Sequence, residues 1–90
     1  MDVKEVAHLA KEFAVDLFKD EGIRDARLEE VEHDEGRGLW HVTVSFLRDP
    51  PAGDSGIAAF LVRSDRSFKV ITLSEPSRSI ISVKQKERVG

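Results

Sequence analysis

Apolar residues near the start of the chain recur with a helical period. Val3, Val6, Ala7, Ala10, Phe13, Ala14, Leu17 and Phe18 form one stripe, and Lys4, Glu5, His8, Lys11, Glu12 and Asp16 fall opposite it. That i, i+3, i+4, i+7 spacing predicts an amphipathic helix over 3–21. Asp2 suits its N-cap, with Glu5 three residues on, and Gly22 suits a left-handed C-terminal residue. From residue 23 the period changes. Ile23, Ala26, Leu28 and Val31 approximate a strand over 23–35 but do not keep a strict alternation, which predicts a bulge near Glu29 and Glu30. Gly36-Arg37-Gly38 supplies a reversal. Then Trp40-His41-Val42-Thr43-Val44-Ser45-Phe46 alternates cleanly, and a strand is expected over 39–47.

Residues 48–56 hold two Pro and two Gly and read as a loop. The apolar run at 57–62 suits either a buried strand or one to two helical turns, because periodicity does not separate these at such a length. Two more strands are expected at 67–74 and 80–85. The chain therefore predicts an α+β fold in a single domain spanning 1–90. One N-terminal amphipathic helix packs on a four-stranded antiparallel meander sheet, or a five-stranded one if 57–62 is extended.

Phe68 and Val70 point to one face of their strand, Ile71 and Leu73 to the other, and Ile80-Ile81 repeats the pattern. One helix covers one face. The second face requires residues 57–62, a second copy of the chain (a homodimer), or a partner.

Composition narrows the class further. Ninety residues with 40% apolar content support one modest core. The absence of cysteine excludes disulfides, thiolate metal sites and cysteine nucleophiles. No apolar run suits a signal peptide or a membrane span, so a cytoplasmic location without membrane association is expected. The net charge of −3 is uneven: residues 1–45 carry −6 and residues 46–90 carry +3. An acidic chain with dispersed bases is not expected to bind nucleic acid. The charge polarity would suit a protein partner or a second copy, and a solvated surface with chance asymmetry is the plainer reading.

Three constellations carry candidate chemistry. Gly53-Asp54-Ser55-Gly56 matches the tetrapeptide around the nucleophile of trypsin-like proteases, but this length does not supply the two barrels that bring a His and an Asp to the Ser, so Ser55 reads as a turn residue. If the Gly36–Gly38 turn pairs Glu35 with Leu39, His33 lies opposite His41 on one face. Two imidazoles so placed can share a metal ion, with Glu29, Asp34 or Glu35 as an oxygen ligand; a solvent-facing pair is the plainer reading. The acidic run Glu29, Glu30, Glu32, Asp34, Glu35 suits a basic partner better than acid–base catalysis. With no nucleotide-binding, zinc-protease or calcium-loop motif, no enzyme activity and no cofactor are expected.

The segments Leu17-Phe18-Lys19-Asp20-Glu21-Gly22, Leu28-Glu29-Glu30-Val31-Glu32, Trp40-His41-Val42-Thr43-Val44, Phe68-Lys69-Val70 and Ile80-Ile81-Ser82-Val83-Lys84 occur in an order that resembles small bacterial α+β domains of the cystatin-like and PepSY-like kind. The resemblance covers most of the chain outside 48–66 and rests on hydrophobic spacing. It implies the same helix-on-sheet fold and a role that inhibits or assists another protein. PepSY-like domains commonly carry an Asp-x-x-Thr-Gly-type turn before the last strand; this chain has Glu75-Pro76-Ser77-Arg78-Ser79, without glycine. The expected function is a small protein-interaction module, with Arg48, Asp49, Asp54 and Ser55 in the loop and His41 and Thr43 on the outer sheet face as contact residues. The alternative is a metal or small-ligand binder using His33 and His41.

Overall fold

A computed structural model describes residues 1–48 and 66–86. The helix α1 (Val3–Phe18) opens on Asp2, whose carboxylate accepts the Glu5 amide at 2.8 Å and so satisfies one free donor of the first turn. A 3-10 turn (Lys19–Glu21) extends it, and Gly22 at φ +67 ends it in the left-handed region, where glycine meets no steric penalty. Four strands follow: β1 (Ile23–Asp34), β2 (Leu39–Arg48), β3 (Arg66–Ser74) and β4 (Ser79–Gln85). They form an antiparallel sheet in the order β1-β2-β3-β4, a meander with the helix on one face. The helix, the four strands and the antiparallel order are those expected from the spacing. The run at 57–62 and the loop residues 49–56 lie outside the described residues.

The core shows how closely the helix sits. Val6, Ala10 and Ala14 are fully buried, spaced four apart along one line of α1. Below them lie Trp40, Val42 and Val44 of β2 and Ile71 and Leu73 of β3. Small side chains on the helix and larger ones on the sheet interdigitate, so the helix axis approaches the sheet. The expected stripe is only partly right. Val3, Phe13 and Leu17 lie on it by period, yet each remains more than a third exposed.

Register supplies two further corrections. The expected bulge is present: Leu28 pairs with Val44 and Glu30 with Thr43, leaving Glu29 unmatched. A second irregularity lies between Arg24 and Arg27, where Asp25 takes φ +53. The hairpin after β1 pairs Asp34 with Leu39, not Glu35 with Leu39, so its loop has four residues, 35–38. Gly38 at φ +65 closes it. The loop between β3 and β4 repeats this design over 75–78, with Arg78 at φ +54 in the place Gly38 holds in the first. The two tips are tied together by the Glu75 amide, which donates to the Gly38 carbonyl at 2.8 Å. Side chain and tip are also matched in shape: a Cβ on Gly38 would stand 3.4 Å from Pro76 Cδ.

Candidate functional site

The four-residue loop separates the two histidines expected to face each other. His33 pairs with Trp40, and His41 with Glu32. Directly opposed residues of an antiparallel pair share a face, so His33 joins Trp40 on the helix side while His41 points to the other. The His33 ring stacks on the Trp40 indole, with centroids 3.9 Å apart and planes inclined by 7°. His33 Nε2 lies 3.2 Å from a Glu75 carboxylate oxygen. On the opposite face His41 Nδ1 lies 3.0 Å from the Thr72 hydroxyl. A shared metal ion between the two rings is thereby removed, because the sheet stands between them. Among the described residues no group of three His, Asp or Glu side chains is placed to hold a metal ion.

Glu75 is the centre of a compact cluster at the hairpin tips. Its carboxylate meets His33 and lies 3.6 Å from the α-amino group of Met1. Trp40 Nε1 is buried and makes no well-aligned hydrogen bond. It is nevertheless near enough to Glu75 for its N–H to help hold the carboxylate ionised. Partial burial pushes the Glu75 pKa up. The hydrogen bond and charge of His33, the indole N–H and the terminal ammonium pull it down and prevail, so it lies below the ordinary carboxylate value.

The outer sheet face is more closed than alternation alone suggests. Thr43, Ser45 and Thr72 are buried there. Ser45 donates to Glu29 at 2.7 Å and accepts from Arg66 Nε at 3.2 Å. Arg66 continues to the Asp25 carboxylate at 3.2 Å and to its backbone carbonyl. The two irregularities of β1 thus bring Asp25 to Arg66 and Glu29 to Ser45, and Ser45 joins the two into one polar network over the end of β2. Of the expected contact residues, Thr43 is buried and His41 is engaged with Thr72. Arg48 is also engaged: its Nη1 bonds Glu21 at 2.6 Å, and its guanidinium lies 5.6 Å and 6.0 Å from the ring centroids of Phe46 and Phe18. It fastens the helix end to β2. Asp49, Asp54 and Ser55 lie outside the described residues.

A different surface is open. A groove of about 430 Å³ runs between α1 and the β4 side of the sheet. Leu9, Glu12 and Phe13 form one wall, Leu73 and Ile80 the floor, and Arg78 of the hairpin tip stands at its rim. Val83 continues the floor, partly buried against the core. Leu9 and Phe13 remain 38% and 36% exposed. The groove was only half legible beforehand. The apolar pair Ile80-Ile81 signalled a sheet edge with apolar groups on both faces, but Leu9 falls outside the helical stripe and its place beside β4 depends on how the helix is set across the sheet.

No family model, no curated protein and no solved structure matches the chain. Among the described residues no helix is long and apolar enough to cross a membrane.

Proposed function

We propose that this chain is a non-enzymatic protein-interaction module whose contact surface is the groove between α1 and β4. One observation carries the reading: the helix places its large and small apolar residues the wrong way round for a surface that meets only water. Inside are one valine and two alanines, Val6, Ala10 and Ala14. Outside are Val3, Leu9, Phe13, Val15 and Leu17, between 36% and 53% exposed. Scattered apolar residues are ordinary on a protein surface, but Leu9 and Phe13, which line an apolar groove together with Leu73 and Ile80, mark a site that another molecule covers. The acidic first half and basic second half of the chain suit oriented docking.

The cystatin-like and PepSY-like resemblance, as a likeness of hydrophobic spacing, supports an inhibitory or accessory role. The contact surface of this proposal differs from the loop and outer face expected from the sequence, because Arg48, His41 and Thr43 are already committed within the molecule.

The test is site-specific photo-crosslinking in cells, with the photoreactive side chain at Phe13 in one variant and at Lys4 in another. A discrete adduct from position 13, absent from position 4 and lost when Ile80→Asp is added, is the expected result. Circular dichroism on the Ile80→Asp variant checks that the fold persists. Equal or absent crosslinking from the two positions overturns the reading.

A further inference from the structure

The two edges of the sheet are built differently. β1 is defended twice over: it is bulged at Glu29 and irregular around Asp25, and it carries Asp25, Glu29, Glu30, Glu32 and Asp34. Bulges and charge are the usual devices that keep an edge strand from pairing with another chain. β4 has one irregularity, at Ile81, and reads Ser-Ile-Ile-Ser-Val-Lys-Gln. Among the described residues its only neighbour is β3. Ile81 is 55% exposed on it.

We propose that β4 accepts an extended acidic segment of a partner protein as an added strand, with that segment's apolar side chains seated in the Leu9/Phe13/Ile80 groove. This rests on the reading of the groove as an interaction surface and specifies its occupant. A strand added to β4 lies about 4.8 Å beyond it, and its side chains alternate between the two faces. Those on the helix side come beside Ile80 and Val83, under Leu9 and Phe13. Those on the other side come beside Ser82 and Lys84, since Lys84 pairs with Val70 and Val70 with Thr43 on the outer face.

Charge selects the occupant. Residues 76–86 include Arg78, Lys84 and Lys86 and no acid. Arg78 and Lys84 make no ion pair among the described residues, and Lys86 reaches only Glu30, at 3.5 Å between two exposed side chains. An incoming strand with carboxylates at its outer positions meets Lys84 and Lys86, and Arg78 stands at the groove rim on the helix side. A second copy does not fit as well: two β4 edges paired together bring one basic edge to another with no acid in residues 76–86 of either to answer it, and the β1 edge is bulged. Like charges along a shared edge oppose association.

The experiment titrates the isotope-labelled full chain with an acetylated, amidated octapeptide alternating Glu and Val, and with its Lys-Val counterpart. Amide shifts at Ser79–Gln85, Leu9 and Phe13 and slowed hydrogen exchange in β4 are expected with the acidic peptide alone. Lys84→Glu, on an exposed side chain, is expected to weaken that binding roughly three- to tenfold, the scale of one or two surface charge contacts. Three results overturn the proposal: no β4 shifts at millimolar acidic peptide, equal binding of the lysine peptide, or a dimer in sedimentation with β4 amides already protected. If the peptide fails while crosslinking from Phe13 succeeds, the groove remains the contact surface and strand addition falls. If both fail, both fall together.

Discussion

His33 illustrates how one residue of register decides chemistry. Counted with a three-residue turn it faces His41 and resembles half of a metal site; with the four-residue loop it stacks on Trp40 and bonds Glu75. The loop closes at Gly38 because that position needs a positive φ and lies against Pro76, a contact between two hairpins far apart in the chain. No local pattern in 35–39 carries that information. Glu75 makes a prediction at the same scale. Its pKa is lowered on folding, so its stabilisation is complete above the ordinary carboxylate value of about 4.3 and is lost as pH falls through the lowered folded value. Urea denaturation of Glu75→Gln should show a less stable protein near neutral pH. The two curves should converge in acid, below the carboxylate range. A gap that persists unchanged in acid would mean that the glutamine disturbs packing and not charge.

At the scale of the element, α1 was the most legible part of the chain. Its period, its Asp2 cap and its Gly22 stop are local signals, and each appears where it was expected. Which apolar residues it buries was not legible, since the stripe spans more of the helix circumference than the sheet covers. The line Val6, Ala10, Ala14 lies innermost because small side chains allow close approach; the larger Leu9 and Phe13 fall to the flank, and Leu17 stays half exposed near the helix end. Ala10→Leu tests this. With no space above Val42, Val44 and Ile71, the added side chain should lift the helix and cost about 1–3 kcal/mol in chemical denaturation. A neutral effect would mean that the helix–sheet contact is loose. In β1 the Glu29 bulge was readable as a break in alternation. The irregularity at Asp25 was not, because its cause is distant: Arg66 of β3 takes both the carboxylate and the carbonyl of Asp25.

For the whole molecule, the described residues build a single small core of eight buried apolar residues from the helix, β2 and β3, with β1 and β4 packed against it. A domain of this size has a stability margin of only several kcal/mol, so one cavity consumes much of it. Ile71→Ala, at the fully buried centre of β3, is expected to cost about 2–5 kcal/mol and to leave a domain that melts early but still in one cooperative step. Calorimetry with two separate transitions would contradict a single core. The fold itself was decided by the chain's own periodicities. A 3.6-residue period followed by alternating strands and glycine- or proline-marked turns permits few arrangements other than a helix on an antiparallel meander. The candidate site was decided chiefly by tertiary structure. Periodicity reports which residues can share a face of one element, but not how the helix is set across the sheet or which residue of β2 stands opposite His33. Those depend on contacts between elements: small residues that draw the helix down, two hairpin tips that lock against each other, and an arginine that gathers the bulged strand. Together they commit Arg48, His41 and Thr43 to the molecule's own structure, and they leave the groove beside β4 open.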